Sequence, residues 1–425
     1  MDFEKLLQNK ETEACDCGKV HTCTIRKVII APGAIMDLEG ELAAYQHILL
    51  VADNNTYQTC GRQVSACLKE RLADTLIYQQ EGLLIPNEEA ITRMEQHLTD
   101  HTDLIIGIGS GVIQDLCKYV SFQAGLPYYI IATAPSMDGY ASKGAAMIIG
   151  NMKVTYNAHV PEVIIGDIDI LKEAPMRLIQ SGYGDILGKY SCLNDWKLSR
   201  VVNEEYFCQA VYNLTYDMLL QTKDLGPRLL TRDPDAIGTL MEALIGVGIA
   251  MAYVGNSRPA SGSEHHLSHF FEVTGLLNDE PYFMHGIDVA YSAVYTQKLR
   301  EELLSLPSPQ AHILPDRASR EQTIRSIYGA ASEGVLALQD KLGWYDKDRL
   351  PVYQAKWQEI RDVLREAPSS TELLSYLLSA GLDIAEFQNT YSPQKIQDAL
   401  WYAKDLKDRY SILWMYYVLK IHRYQ

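Results

Sequence analysis

The sequence predicts a two-domain protein, with an α/β Rossmann-like domain at residues 1–166 and an all-α domain at residues 167–425. The chain has 425 residues, which is too long for one ordinary hydrophobic core. Between about residues 25 and 165, short apolar runs alternate with amphipathic stretches, a pattern typical of a parallel sheet covered by helices. Beyond about residue 167 the strand pattern stops, and apolar residues recur at helical spacing.

Five apolar runs in the first part have the length and the polar flanks of buried parallel strands. In chain order they are Gln46–Asp53, Thr75–Gln79, Asp103–Ile108, Tyr128–Ala132 and Glu162–Gly166. Amphipathic segments such as Glu88–Leu98 and Val112–Ala124 lie between them. This alternation predicts a doubly wound fold.

The second part is predicted to be helical almost to its end. The predicted helices are Asp169–Trp196, Glu204–Leu225, Asp233–Val254, Glu264–Gly275 and Ile287–Leu303. The stretch after about residue 350 reads as an appended helical tail, in which Ser369 is a candidate helix N-cap.

The composition excludes several classes of protein. Lys and Arg number 38 against 54 Asp and Glu, so the formal net charge is −16, and no segment supplies the basic stripe that nucleic-acid binding needs. The first residues lack a signal-peptide core, and no run of about 18 apolar residues predicts a membrane span. Eight cysteines in such a chain indicate reduced thiols. We therefore expect a cytoplasmic protein that does not bind nucleic acid and has no membrane-spanning helix.

A glycine-rich turn, Gly109-Ser110-Gly111, joins a predicted strand to a predicted helix. Such a turn brings backbone N–H groups close to a pyrophosphate. The glycines alone fit an ordinary tight turn equally well, but the carboxyl end of a parallel strand is where such sheets bind ligands. Asp53 closes an earlier strand, where a carboxylate can bind an adenosine ribose and would disfavour the 2′-phosphate of NADP.

Three motifs in the helical part carry side chains that bind metals. Gly182-Tyr183-Gly184-Asp185 is expected just before or at a helix start, Ser261–His269 opens another helix, and Met284-His285-Gly286 precedes a third. One Asp oxygen and two His nitrogens suit zinc or a similar divalent ion and leave a position open for substrate. Singly, these residues fit helix caps and surface histidines, whereas the cluster favours a metal site.

His265 and His269 are four residues apart, so both face one side of their helix. One of them can therefore bind a metal while the other touches substrate.

In the order GIGSG, TAPSMDGYAS, GYGD, SGSEHHLSH and MHG, the motifs resemble those of the glycerol-1-phosphate dehydrogenase family. That family belongs to the superfamily of metal-dependent alcohol dehydrogenases, glycerol dehydrogenases and dehydroquinate synthases. The resemblance runs from about Ile25 to Lys298. It implies a dehydroquinate synthase-like fold, NAD(H) or NADP(H) as cofactor, and one divalent metal ion, zinc or nickel. The length and the tail are similar to the bacterial branch, which implies a homodimer.

The resemblance also implies roles for individual residues. Asp185, His265 and His285 would bind the metal, and Asp138, Asp185 and His269 would contact the substrate. Seven residues would hold the dinucleotide: Asp53, Gly109, Ser110, Gly111, Thr133, Ser136 and Ser142. His266 has no counterpart in many relatives. Three lysines are unranked candidates for the substrate phosphate, and each also fits a solvated surface: Lys143, Lys153 and Lys189.

Near the N terminus, Cys15, Cys17, His21 and Cys23 offer four soft ligands, in a stretch similar to one in the bacterial branch. Their spacing is too tight for a standard zinc knuckle. A plain turn is therefore expected there in preference to a second metal site.

The predicted reaction is the reversible reduction of the triose phosphate dihydroxyacetone phosphate to sn-glycerol 1-phosphate. The metal would act as a Lewis acid, the nicotinamide would supply hydride, and His269 or a water would deliver the proton. A glycerol or other polyol dehydrogenase on the same scaffold stays open, as does a dehydroquinate synthase-like sugar-phosphate cyclase. A binding protein on a decayed scaffold is disfavoured because all three ligand positions are filled.

Overall fold

The computed structural model describes residues 1–7, 15–79, 82, 84–150 and 152–419. The strands are β1 (Lys27–Ala31), β2 (Ile48–Asp53), β3 (Leu72–Tyr78), β4 (Leu104–Gly109), β5 (Tyr128–Ala132), β6 (Gly144–Ile149), β7 (Met152–Asn157) and β8 (Val163–Asp167). The helices of the first half are α1 (Phe3–Leu7), α2 (Asn54–Thr56), α3 (Arg62–Leu68), α4 (Glu88–Glu95), α5 (Gly111–Ala124), α6 (Ile168–Leu171), α7 (Met176–Leu187), α8 (Lys189–Asn203), α9 (Gln209–Thr222) and α10 (Gly226–Leu230).

The remaining helices are α11 (Pro234–Val254), α12 (Ser263–Asn278), α13 (His285–Leu304), α14 (Arg317–Tyr328), α15 (Ser332–Leu342), α16 (Leu350–Ala355), α17 (Trp357–Leu364), α18 (Ser370–Ser379), α19 (Ile384–Thr390), α20 (Pro393–Tyr402) and α21 (Ile412–Val418). Ser369 caps α18 as predicted, because its side chain accepts a hydrogen bond from the Glu372 N–H.

The main sheet has six parallel strands in the order β1-β8-β5-β4-β2-β3. All residues of β4, β5 and β8 are buried, as expected for central parallel strands covered on both faces. The five predicted strands are all present. The predicted α/β domain followed by a helical part is thereby confirmed.

Three strands were not among the predictions. The edge strand β1 pairs only with β8 in the described sheet. Strands β6 and β7 form an antiparallel hairpin, and Gly150 at its turn has φ +61°, a backbone conformation that glycine adopts without strain. A hairpin inserted between parallel strands interrupts the strand–helix alternation on which the sequence prediction relied.

By internal contacts the chain divides into two compact units. The first consists of residues 1–182 and 227–256, and the second of residues 183–226 and 257–425. The first unit therefore extends past the predicted boundary at residue 166 and includes α11. Gly248 explains this packing, since a Cβ there would lie 2.8 Å from the Cβ of Ala141 and 2.8 Å from the carbonyl oxygen of Asp138.

Helix α11 corrects one sequence-based expectation. It is long and apolar enough to cross a membrane, with a mean hydropathy of 1.8 over an 18-residue window, although no stretch of this kind was predicted. Within the structure, 83% of that window is buried. The burial is that of a core helix, and Asp233 caps its start by accepting from the Ala236 N–H.

In the second unit, a buried ionic network fixes the start of α12. The Arg300 guanidinium donates to Asp195 Oδ1 at 2.8 Å, and Asp195 Oδ2 accepts from the Ser263 N–H at 2.7 Å. Both charged side chains are fully buried. The N terminus of α12 is thus tied to α8 and α13 just before the histidine motif begins.

Candidate functional site

The three predicted metal ligands come together within the second unit. One ligand atom from each of Asp185, His265 and His285 lies within 4.8 Å of the other two. His265 Nε2 is 3.6 Å from Asp185 Oδ1, and the His265 and His285 rings have their centroids 5.0 Å apart. A hard oxygen and two imidazoles at this separation are a donor set that fits a divalent ion.

Asp185 is not at a helix start, contrary to the prediction for the GYGD motif. It lies in the last turn of α7 (Met176–Leu187), within the helix, so it is not a helix N-cap either. The glycines of the motif serve close packing instead. A Cβ on Gly184 would collide with the carbonyl oxygen of Gly286 and lie 2.8 Å from the Cβ of Ala290. The missing side chain therefore lets α7 approach α13, which carries His285.

His265 is oriented by its neighbour Glu264. Its Nδ1 lies 2.7 Å from Glu264 Oε1, and the same carboxyl oxygen accepts from the Gly262 N–H at 2.8 Å. A carboxylate on one ring nitrogen of a metal-binding histidine fixes its tautomer and turns the other nitrogen toward the metal. Because Glu264 is fully buried, this orientation is shielded from water.

The electrostatics keep the ligands in the forms that bind metals. Burial raises the pKa of Asp185, but Lys189, His265 and His285 outweigh it and lower that pKa to about 2. Burial, with the nearby Lys189, holds the pKa of His265 well below its usual range. At neutral pH the site therefore offers a carboxylate and a neutral imidazole, as metal coordination requires.

Lys189 is a partner of Asp185 and has no exposed surface. Its Nζ donates to Asp185 Oδ1 at 2.8 Å and to the Ala260 carbonyl at 3.0 Å, and its side chain is 0% exposed. Of the lysines considered for the substrate phosphate, Lys189 thus lacks surface for this role. Lys143 is exposed, and the side chain of Lys153 lies outside the described residues.

His269 lies beside the three ligands, as predicted from the helical spacing. Its ring stacks on His285 with the centroids 5.6 Å apart and is 6.1 Å from the ring of His265. It is only partly buried, unlike His265. His266 lies outside this group, and burial lowers its pKa well below the usual range.

The residues predicted to hold the dinucleotide follow adjacent strands in the first unit. Strand β4 pairs with both β2 and β5 in parallel, so Asp53, Gly109 and Thr133 lie at the carboxyl ends of three neighbouring strands. Ser110 is the N-cap of α5, which begins at Gly111. The Asp53 carboxylate also caps α2, since its Oδ1 accepts from the N–H groups of Asn55 and Thr56 at 2.8 Å. Asp53 is therefore also a helix N-cap, a role that was not predicted for it.

Asp138, Ser136 and Ser142 lie in the loop after β5, and all three are nearly buried. The loop is held by Lys118, a residue of α5 that the sequence analysis did not single out for a role. Its Nζ donates to the Gly139 carbonyl at 3.0 Å, the Ser142 hydroxyl at 3.2 Å and the Gly144 carbonyl at 2.7 Å. The available sequence signal was a lysine that follows the apolar residues Leu116 and Cys117 in the predicted helix.

The chain matches known proteins of one superfamily. The family model of iron-containing alcohol dehydrogenases matches residues 29–175. Among solved structures, an alcohol dehydrogenase from Oenococcus oeni superposes with a TM-score of 0.60 at 14% identity, covering 92% of this chain and 94% of that one. At this identity the match shows a shared fold.

Two relatives are closer in sequence. The glycerol-1-phosphate dehydrogenase (NAD(P)+) of Halalkalibacterium halodurans is 31% identical over 357 residues, covering 77% of this chain and 90% of the relative. A protein of the same name from Geobacillus stearothermophilus is 29% identical over 408 residues, covering 94% of each chain. The protein is therefore an oxidoreductase that belongs to the glycerol-1-phosphate dehydrogenase family.

Proposed function

We propose that this protein catalyses the reversible, NAD(P)H-dependent reduction of dihydroxyacetone phosphate to sn-glycerol 1-phosphate in the cytoplasm, acting as a homodimer. The observation that carries the proposal is the buried group of Asp185, His265 and His285, whose ligand atoms lie within 4.8 Å of one another. The names of the relatives supply the substrate.

Asp185, His265 and His285 would hold one divalent ion, zinc or nickel. When bound there, such an ion would polarise the carbonyl oxygen of the substrate and stabilise negative charge on it. The chain's own contribution is to keep the ligands deprotonated and aligned. Lys189 favours the ionised form of Asp185, and Glu264 fixes the tautomer of His265.

His269 is proposed as the group that exchanges a proton with the substrate oxygen. It lies one helical turn after His265 and stacks on His285, so it can reach a substrate held at the ligands. It is only partly buried, and imidazole is the side chain that most often acts as a general acid or base.

The nicotinamide dinucleotide, which supplies the hydride, would be held in the first unit by Asp53, the turn Gly109–Gly111, and the side chains of Thr133, Ser136 and Ser142. The N terminus of α5 offers N–H groups to the pyrophosphate. Asp53 would bind the ribose, which favours NADH over NADPH.

Asp138 is proposed to bind a substrate hydroxyl, and Lys143, which is exposed, is the remaining described candidate for the phosphate.

The proposal is tested by NADH oxidation with dihydroxyacetone phosphate or unphosphorylated dihydroxyacetone, before and after chelation, with metal analysis. We expect faster turnover of the phosphate, loss on chelation and recovery on adding zinc or nickel. The product should not be consumed by an enzyme specific for sn-glycerol 3-phosphate. Preference for dihydroxyacetone would indicate a polyol dehydrogenase, and cyclisation of a heptulose phosphate without net NADH change would indicate a cyclase.

Ligand variants test the site itself. Asp185→Asn and His285→Ala should each lower kcat by about 10³-fold, the equivalent of the several kcal/mol that a Lewis acid contributes. His47→Ala, which removes an exposed histidine, is the control and should keep full activity. Intact activity in both ligand variants would rule out the metal mechanism.

A further inference from the structure

The segment before β1 contains a second group of metal-binding side chains. One ligand atom from each of Cys15, Cys17 and His21 lies within 4.8 Å of the others. Cys23, which the sequence grouped with them, is buried at 2% exposure and lies outside this group. All three residues belong to the first unit, whereas the proposed catalytic ligands belong to the second.

A tight turn brings the two thiols together. The Gly18 N–H donates to the Cys15 carbonyl at 2.7 Å, and the Cys15 N–H donates to the Lys19 carbonyl at 3.0 Å. Gly18 has φ +81°, a conformation that favours glycine. This turn was expected from the sequence, and it is present. In this turn, one ligand atom of each of Cys15 and Cys17 lies within 4.8 Å of a ring nitrogen of His21.

His21 is held in the form that binds metals. Its Nδ1 lies 2.9 Å from the carbonyl oxygen of Tyr253, in the last turn of α11. A carbonyl oxygen only accepts, so Nδ1 carries the proton and Nε2 keeps its lone pair. Nε2 lies 3.3 Å from Cys17 Sγ. A backbone carbonyl on the remote nitrogen is the usual support of a metal-binding histidine.

The spacing also fits a metal. With Zn–S bonds of about 2.3 Å and Zn–N bonds of about 2.05 Å, ligand atoms at tetrahedral angles lie roughly 3.5–3.8 Å apart. The 3.3 Å between His21 Nε2 and Cys17 Sγ is close to that range. Two thiolates and an imidazole are soft ligands, which select zinc over the hard cations that carboxylates and carbonyls prefer.

We propose that Cys15, Cys17 and His21 supply three of the ligands of a second, structural metal site that binds zinc. The site is separate from the proposed catalytic metal and adds to the proposed function. Because His21 is bonded to Tyr253, bound zinc would fasten the segment before β1 to the end of α11. These two parts of the chain are 232 residues apart, so the link would stabilise the first unit.

Cobalt(II) titration of the reduced full-length chain tests this proposal. Thiolates bound to cobalt give an intense near-ultraviolet charge-transfer band, which a site of one carboxylate and two imidazoles cannot give. We expect this band in the wild-type chain and in Asp185→Asn, and its loss in the double variant Cys15→Ser/Cys17→Ser. The control Cys67→Ser, which removes a thiol near the Ile35 carbonyl, should keep it.

Metal analysis and melting complete the test. The zinc-loaded wild type should contain one more equivalent of zinc per chain than the double variant, and its Tm should be higher. The control Cys67→Ser should contain as much zinc as the wild type. A fully reduced wild-type chain without the cobalt band overturns the proposal, as does a band that survives in the double variant. Neither result depends on dehydrogenase activity, so failure of the catalytic proposal would show separately as intact turnover in Asp185→Asn.

Discussion

Glu264 shows how one residue links the backbone to the proposed chemistry. Its Oε1 accepts a hydrogen bond from the Gly262 N–H and lies within hydrogen-bond distance of His265 Nδ1. One carboxyl oxygen therefore fixes both the start of α12 and the orientation of the histidine ring. The histidines of this motif were predicted site residues, whereas Glu264, between Ser263 and His265, was not. Its role could not be predicted, because the position of a side chain around a helix start depends on its rotamer.

Replacing Glu264 with alanine should weaken metal binding about 10- to 100-fold, the usual effect of removing the support of a metal-binding histidine. Glu264→Gln is the matched control, because its amide oxygen can still accept from the ring N–H, and it should lose less. Competition with a chromophoric chelator measures the affinity. Equal affinity in wild type and the alanine variant would show that His265 does not need this support.

Asp288 gives a second prediction at this scale, which concerns pH. Tyr391 donates to both of its carboxyl oxygens, at 2.9 and 3.1 Å, yet burial, with a contribution from Glu272, raises the pKa of Asp288 well above its ordinary value of 3.8. An acid whose pKa is higher in the folded state stabilises the fold most below pH 3.8. That contribution is lost as the pH rises toward the folded-state pKa.

Asp288→Asn removes this titration. The free energy of unfolding of the variant should therefore exceed that of the wild type by more at pH 8 than at pH 5, measured by urea unfolding. Asp217→Asn, which removes an exposed carboxylate of α9, is the comparison variant in another helix. A difference between Asp288→Asn and wild type that does not grow with pH would contradict the assignment.

At the scale of elements, the sequence predicted the sheet better than the packing of the helices. Runs such as Gln46–Asp53 are apolar throughout because central parallel strands are buried on both faces. The position of Asp185 was missed because Gly182 and Gly184 resemble a helix start. In fact Gly184 is needed for the close approach of α13, and such a contact between distant segments leaves no local pattern in the sequence.

The buried ion pair of Asp195 and Arg300, which joins helices α8 and α13, gives a prediction about stability. Arg300→Met would leave Asp195 buried without its cation, which should cost about 3–5 kcal/mol in the free energy of unfolding. The double variant Arg300→Met/Asp195→Leu should recover part of that loss, since no lone charge stays buried. The exposed Arg317, which pairs with Asp340, is the control, and Arg317→Ala should leave the midpoint of urea unfolding unchanged. A small effect of Arg300→Met would show that Asp195 is satisfied by N–H donors alone.

At the scale of the whole molecule, the net charge of −16 opposes the approach of the two anionic ligands of the proposed reaction. From Gly107 to Gly166 the sequence has three lysines and three acids, so this stretch is neutral overall. One of these three lysines, Lys118, is fully buried, and its Nζ donates to the Gly144 carbonyl after β5. Short-range attraction must then come from backbone N–H groups, a bound metal and few exposed cations.

This charge distribution predicts an unusual response to salt. Raising the ionic strength from about 10 to 100 mM shortens the Debye length from about 30 to 10 Å, which screens the repulsion from the acidic remainder of the chain more than contacts within the site. The kcat/KM for dihydroxyacetone phosphate should therefore rise over this range, whereas that for uncharged dihydroxyacetone should stay constant. Steady-state kinetics at fixed pH and saturating NADH measure both. A kcat/KM for the phosphate that falls with salt would mean that a locally positive surface guides the substrate and outweighs the net charge.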